Sequence, residues 1–454
     1  MGNCELQRTP TNGKNVYFVS LGCPKNLVDS EVMLGRLVEA GWKIVRDERE
    51  ADCIVVNTCS FIQSAVEESV DTILELARLK EAGNCKRLVV VGCFPQRYKD
   101  TLLKEFPEVD LFLGTGAFDR IVEALDGGSN GPRMLLPSPA KVSPREDSAS
   151  RVCTTPPYTA YLKIADGCSN RCTYCIIPRL RGPYRSRSMS DILDEARRLV
   201  TSGVGELILV AQETTAYGID LHDDINLAVL LEALAQIPGL VWIRFLYGHP
   251  DRIDDNLIDT VARHDNICSY FDIPIQHISE TVLKKMGRPH NSKKILDLFE
   301  RIRTSIPEAA IRTTLIVGFP GETEEDFARL VDFVEQVRFD HLGVFAYSDE
   351  EDLPAAALKD HVSDAVKEER REALMSHQAA ISKRLNQQRV GKRHNVLVEG
   401  YSKETEFLLQ GRASFQAPDI DGVVYICKGT ANQGEWADVR ITEAFEYDLV
   451  GEIA

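Results

Sequence analysis

A chain of 454 residues is long for one domain and suggests about three. Its 44% apolar and 27% charged content is that of a globular protein, and no run reaches the roughly eighteen apolar residues that a membrane helix needs. The net charge of −16 argues against a grip on nucleic acid made mainly through phosphates, and suits a basic partner better.

The N-terminal stretch "MGNCELQRTPTNGKN" carries no apolar leader, and Leu6 stands where a myristoylation signal needs Ser or Thr, so a cytoplasmic protein is expected. Thiols in that compartment stay reduced. The twelve cysteines are therefore read as metal ligands or buried side chains before disulfides.

The first segment repeats one pattern three times: apolar strand, cysteine, helix. "NVYFVSLGC" ends at Cys23, "ADCIVVNTC" at Cys59 and "KRLVVVGC" at Cys93. In the helix after Cys59, the residues Phe61, Ile62, Ala65, Val66, Ile73, Leu74 and Ala77 recur at helical spacing. Continuous apolar strands alternating with helices imply a parallel sheet covered on both faces, with ligands beyond the carboxyl ends of its strands. Separations of 36 and 34 residues would then close into one cluster.

A Pro- and Ser-rich stretch from Leu135 to Tyr158 has linker chemistry. The second segment alternates strand and helix about six times. Its predicted strands are "YTAYLKIADGC", "ELILVAQET", "VWIRFLYGHP", "YFDIPIQH", "AIRTTLIVGFPGET" and "HLGVFAYS". Ser188 with Asp191, and Thr323 with Asp326, fit capping boxes. Six βα units predict a partial (βα)6 TIM-like barrel, open rather than closed, with its site at the carboxyl strand ends. A charged helix over about Ser363–Gln388 leads to five short strands that predict a small OB-like β-barrel. The α/β chain thus divides into 14–135, 152–388 and 389–454.

"ADGCSNRCTYC" sets Cys168, Cys172 and Cys175 in a C-x3-C-x2-C pattern after the first strand of the second segment. Structural zinc and ferredoxin clusters both want four ligands. Three thiols among Ser, Asn, Arg and Thr are too polar for a core. Three ligands to a four-iron cluster leave one iron open, as a catalytic centre requires. With Tyr174 just before the last cysteine, the pattern resembles the radical S-adenosylmethionine superfamily.

The resemblance widens to nearly the whole chain. "SLGCPKNLVDSE", "VNTCSFIQSAVEES", "VVGCFPQRY" and "GCSNRCTYCIIPRLRGPYRSR" look like the methylthiotransferase family, with the last 65 or so residues like its TRAM barrel. That likeness implies two 4Fe–4S clusters. One sits on Cys168, Cys172 and Cys175 and binds S-adenosylmethionine; the other sits on Cys23, Cys59 and Cys93 and presents sulfur. By the same likeness Tyr174, Gln212, Glu213, Pro274, Gln276, Thr314 and Ile316 contact S-adenosylmethionine, and no catalytic side chain is expected beyond the cluster ligands. Gly318 and Gly321 of "VGFPGET" either allow a close backbone approach or make a tight turn into a capped helix. Arg179, Arg181, Arg185 and Arg187 face an anion or form a solvated loop. His277 and His290 read as satisfied polar histidines before ligands. Cys4, Cys53, Cys85, Cys153, Cys268 and Cys427 read as structural.

"SLGCPKN", "QETTAYGID" and "AYSDEE" resemble the branch that modifies an aspartate β-carbon of small-subunit ribosomal protein S-twelve, rather than the tRNA adenosine branch. From Arg389 to Ala454 there are 11 Asp and Glu against 7 Lys and Arg, a net of −4, which suits a basic protein better than tRNA. The resemblance implies an electron donor such as flavodoxin or ferredoxin. A two-cluster electron-transfer protein is the remote alternative, and lacks a fourth cysteine near each triad.

Overall fold

The computed structural model describes residues 14–82, 85–126, 132–141, 151–222, 224–288, 291–350, 352–402, 404–405 and 407–454. Cys4 and His290 lie outside them. The chain forms two compact units: one from residues up to Thr154 together with Ile176–Pro183, the other from Thr155–Cys175 and Tyr184–Ala454.

The first unit is built on β1 (Asn15–Ser20), β2 (Lys43–Ile44), β3 (Cys53–Thr58), β4 (Arg87–Gly92), β5 (Leu111–Gly114) and β6 (Met134–Leu135). They form one parallel sheet in the order β2-β1-β3-β4-β5-β6. β3 is buried along its whole length, as a strand covered on both faces must be. Ile54, Val56, Leu88 and Val90 pack with Ile73 on one face. Val55, Val89 and Val91 pack with Met33 and Leu37 on the other. The helix Gln63–Ala82 buries Val66, Ile73 and Ala77, but Phe61 and Leu74 of the predicted stripe are exposed; Leu76 takes the core position instead.

The second unit contains β7 (Thr159–Lys163), the short β8 (Ala165–Asp166) and β9 (Arg185–Ser186), β10 (Glu206–Val210), β11 (Trp242–Phe245), β12 (Tyr270–Asp272), β13 (Ala310–Val317) and β14 (His341–Ala346). The six parallel strands stand as two triplets, β7-β10-β11 and β12-β13-β14, joined by a parallel bridge between Ile243 and Ile267. This is the expected open barrel. Thr323 and Asp326 make a reciprocal capping box. Ser188 accepts from the Asp191 amide, but the Asp191 carboxylate turns to Arg187, so that box is only half made.

Five strands close the C-terminal barrel: β15 (Arg393–Tyr401), β16 (Leu409–Ala413), β17 (Val424–Lys428), β18 (Trp436–Ala444) and β19 (Leu449–Ile453), in the order β15-β16-β17-β19-β18. The barrel belongs to the second unit and covers the amino-terminal strand ends of the open barrel. Trp436 meets Trp242 edge-on at 5.9 Å. Fully buried Glu206, first residue of β10, accepts from Arg412 at 2.7 Å and lies 3.4 Å from Arg244. Arg412 also reaches Glu399 at 2.8 Å. Asp421 accepts from the Tyr270 hydroxyl at 2.7 Å and lies 3.4 Å from His341. In the open barrels of this type the amino-terminal end serves stability and the opposite end serves chemistry. Among the described residues, no helix is long and apolar enough to cross a membrane.

Burial alone would raise the Glu206 carboxyl; Arg412 and Arg244 outweigh it and hold it at about 2 rather than near 4.5. A carboxylate depressed on folding contributes stability above its unfolded value and loses it as pH falls through its folded one. The stability gap between the wild type and Glu206→Gln is therefore expected to close between about pH 4.5 and 2, read from urea unfolding at stepped pH. Arg412→Met strands a buried charge and is expected to cost about 3–5 kcal/mol. A chain ending at Gln388 removes the same partner and should melt lower; an unchanged melting temperature would contradict this account.

Candidate metal centres

In the first unit all three cysteines sit where strands end. Cys23 caps the helix Pro24–Glu39, Cys59 follows Thr58 at the end of β3, and Cys93 opens the helix Cys93–Tyr98 directly after β4. Register keeps these ends level, with Ser20 beside Asn57 and Thr58 beside Gly92. Two left-handed glycines allow the turns to crowd together. Gly22 has φ +87°, and a Cβ there would lie 2.6 Å from the Cys59 Cβ and 3.1 Å from its Sγ. Gly92 has φ +103°, and its Cβ would lie 2.7 Å from the Thr58 carbonyl oxygen.

A buried polar frame fixes the loops. Asn26 donates to the Leu21 carbonyl at 2.7 Å, Asn57 donates to Ser30 at 2.8 Å, and Thr58 donates to the Val91 carbonyl at 2.6 Å. Burial pushes the Cys93 thiol up to about 12 and raises Cys59. Cys23 is lowered despite its burial, because Lys25, Arg181 and two backbone amides favour its thiolate.

In the second unit Cys168, Cys172 and Cys175 follow β7 and β8. Their loop is held from several sides. The Thr173 amide donates to the Met286 carbonyl at 3.0 Å and its hydroxyl to Lys285 at 2.8 Å, while Ala355 donates to the Thr173 carbonyl at 3.0 Å. Gly287 has φ +72°, and a Cβ there would lie 2.5 Å from the Arg171 carbonyl oxygen. Tyr174 packs on Phe319 and its hydroxyl accepts from Arg288 at 3.2 Å. Burial raises the Cys168 thiol, with the Glu213 charge adding to it.

Among the described residues, no three His, Cys, Asp or Glu gather closely enough to chelate a single metal ion. Thiolate is the donor that iron–sulfur clusters take, and each triad offers three. No disulfide joins any cysteine among the described residues.

The other predicted positions fall into two groups, one of them joined to the cysteine loop. Gln212 donates to Asp166 at 3.1 Å, and its Oε1 is buried without a protein partner. Glu213 accepts from Asn170, inside the cysteine loop, and from Arg252. Pro274 and Gln276 lie beside Thr314 and Ile316: the Gln276 amide donates to Thr314 at 2.9 Å, and the Ile316 amide to Gln276 at 2.8 Å. Gln276 holds φ +72° although it has a side chain, a strain commonly found at functional sites.

Several open alternatives resolve. "VGFPGET" is a closed turn: Glu322 accepts from the Gly318 amide at 2.7 Å and the Phe319 amide at 3.2 Å. A Cβ on Gly318 would meet the Lys367 side chain at 2.2 Å, and one on Gly321 would meet the Lys285 ammonium at 1.8 Å, so these glycines make room for lysines. His277 is buried, accepts from the Ser279 amide at 2.9 Å, and is held neutral by burial at about 4. Arg187, just before the helix Met189–Thr201, pairs with Asp191 at 2.6 Å and Glu195 at 2.7 Å on that helix, Arg179 is exposed, and Arg181 is buried in the first unit. Cys53, Cys85 and Cys268 are buried, whereas Cys153 and Cys427 are exposed. Asn170, Arg252 and Arg288 were not singled out by spacing; only Asn170, within the cysteine motif, carried a signal in its position.

Three family matches cover the chain: residues 15–114 match the uncharacterized protein family UPF0004, 162–334 the radical SAM superfamily and 390–454 the TRAM domain. The solved radical S-adenosylmethionine methyltransferase TsrM from Kitasatospora setae shares the fold. Its form with cobalamin and a [4Fe–4S] cluster aligns with TM-score 0.54 at 17% identity over 74% of this chain and 75% of that one. Its form with tryptophan and aza-SAM aligns with TM-score 0.57 at 15% identity over 81% and 89%. The protein is a radical S-adenosylmethionine enzyme.

The relatives narrow the class. Ribosomal protein uS12 methylthiotransferase RimO of Geobacter sulfurreducens is 53% identical over 442 residues, covering 97% of this chain and 98% of that protein. The protein of the same name from Clostridioides difficile is 49% identical over 440 residues, covering 96% and 98%. The chain belongs to the uS12 methylthiotransferase family.

Gly22→Ala is expected to lower both thermal stability and iron per chain, because the methyl group would displace Cys59. Gly41→Ala, at φ +88° with nothing within 4 Å of its Cβ, should cost only about 1–2 kcal/mol of backbone strain and leave iron unchanged. Iron analysis after anaerobic purification checks both; equal iron in Gly22→Ala and wild type would refute the crowding argument.

Proposed function

We propose that the protein inserts a methylthio group at the β-carbon of an aspartate in ribosomal protein uS12, using two 4Fe–4S clusters and S-adenosylmethionine. The observation that carries this is the pair of three-cysteine strand-end sites in a chain about half identical, over nearly its full length, to proteins named for that activity.

Cys168, Cys172 and Cys175 would hold one cluster with an iron open to S-adenosylmethionine, and the chemistry supplied there is one-electron cleavage to a 5′-deoxyadenosyl radical. A saturated carbon of this kind has no usable pKa, so hydrogen removal needs a radical rather than a base. Cys23, Cys59 and Cys93 would hold the second cluster, the source of sulfur. The remaining work belongs to the chain. Tyr174, Gln212, Glu213, Pro274, Gln276, Thr314 and Ile316 position S-adenosylmethionine, with the buried Gln212 Oε1 open to a donor. Asn170 and Arg252 hold Glu213 against the cysteine loop. Positioning and exclusion of water are the protein's part in such chemistry.

The functional segments are 14–135 for the sulfur site, 152–388 for the radical site and 389–454 for substrate selection. The acidic barrel suits basic uS12 better than tRNA. A flavodoxin or ferredoxin supplies electrons, and the protein works in the cytoplasm.

Replacing Cys168, Cys172 and Cys175 together with Ala should remove about half the iron and abolish S-adenosylmethionine cleavage. Replacing Cys23, Cys59 and Cys93 should also remove about half, leave cleavage intact and abolish sulfur insertion. Iron content unchanged in either triple variant would sink the two-cluster reading.

A further inference from the structure

The second arginine of "PRLRG" has a place that neither motif spacing nor the radical chemistry assigns. The segment Ile176–Pro183 follows directly on Cys175, yet it packs as part of the N-terminal unit. Its helix, Ile177–Arg181, is anchored there by the Thr115 hydroxyl, which donates to the Leu180 carbonyl at 2.5 Å. At the end of that helix Arg181 is 2% exposed. One guanidinium nitrogen donates to Asp29 at 2.6 Å and the other to Asn26 at 3.1 Å, and the group lies over the Phe118 ring at 5.7 Å. Asn26 is the residue that also ties down the loop before Cys23.

Geometry puts the guanidinium beside the triad: the helix Ile177–Arg181 packs on the helix that Cys93 opens, and Arg181 donates to Asn26, three residues after Cys23. Asp29 and Cys93 are buried while Cys23 and Cys59 are half-buried, so three thiolates and a carboxylate would gather where water reaches only in part. Such a group is unstable without cations. Arg181 is one such cation; the buried Lys25, two residues after Cys23, and Arg97, which donates to the Ser60 carbonyl beside Cys59 at 2.8 Å, are others. Arg is the fit choice for this place: it stays charged, and its planar fork can hold Asp29 and Asn26 while presenting further N–H groups.

We propose that Arg181 is a positioning residue for the N-terminal site: its guanidinium, oriented by Asp29 and Asn26, supplies the buried positive charge that sets the electrostatic environment of whatever Cys23, Cys59 and Cys93 bind. The inference rests on the reading of that triad as a cluster site. A reduced cluster carries one more negative charge than an oxidised one, so a nearby cation raises its potential and a nearby anion lowers it.

The test uses the full chain with Cys168, Cys172 and Cys175 replaced by Ala, so that only the N-terminal triad can take iron. After anaerobic reconstitution, iron per chain and the cluster's midpoint potential are read by a redox titration followed by electron paramagnetic resonance. Arg181→Gln should shift the potential negative, Asp29→Asn should shift it positive, and Arg181→Lys should lie between Arg181→Gln and the parent. A role limited to stapling the segment predicts no such opposition: shifts of the same sign, or none, in loaded Arg181→Gln and Asp29→Asn would overturn the proposal. If Arg181→Gln fails to load iron, Asp29→Asn decides alone, by a positive shift or its absence. A parent that takes up no iron overturns the cluster reading itself, and this inference with it.

Discussion

Parallel strands end on one edge of their sheet, and that constraint organises everything else in this molecule. A βα turn can then lie beside the turns of neighbouring strands, however far apart they are in sequence. β1, β3 and β4 are adjacent in the sheet, and the three turns that follow them each carry a cysteine. The second unit uses the same rule differently. There one turn carries all three cysteines, and Glu213, past the end of β10, accepts from Asn170 within it. The chemistry of each site follows from which turns the topology makes neighbours.

Buried charge serves two purposes in the two units. Around Glu206, Arg412 and Arg244 it joins the C-terminal barrel to the amino-terminal strand ends, far along the strands from the cysteine loop. That network is about stability and fixed geometry. Around Cys23, Cys59 and Cys93 the buried pair Arg181–Asp29 belongs to a polar frame that also holds the cysteine turns. Desolvation makes both networks costly if one partner is lost, so both should tolerate single substitutions at their centres poorly.

Much of this was legible in the sequence. Strand-cysteine-helix repeats located the first site, C-x3-C-x2-C located the second, and apolar continuity distinguished parallel strands from the alternating strands of the barrel. What was not legible depends on contacts distant in sequence. Periodicity placed Leu74 on the buried face, but the helix turns Leu76 inward instead. Gly22 and Gly318 look alike in sequence, yet one makes room for a cysteine and the other for Lys367. Arginines of one stretch have different fates, because Arg187 finds carboxylates on the helix that follows it while Arg181 finds Asp29 from a strand-end helix 152 residues away. Within Leu135–Tyr158, read as a linker, Arg151 and Thr154 bind buried Glu31 of the first unit, a contact that composition does not show.

Two strand-end cysteine triads are proposed to serve modification of a basic ribosomal protein rather than of tRNA. The most direct measurement offers the reconstituted enzyme, a reductant and S-adenosylmethionine both uS12 and unmodified tRNA at moderate salt, and follows the methylthio mass on each by mass spectrometry. The account predicts the added mass on one uS12 aspartate, with a rate that falls as salt screens the opposite charges of the partners. Methylthioadenosine in the tRNA with no gain of mass on uS12 would contradict it.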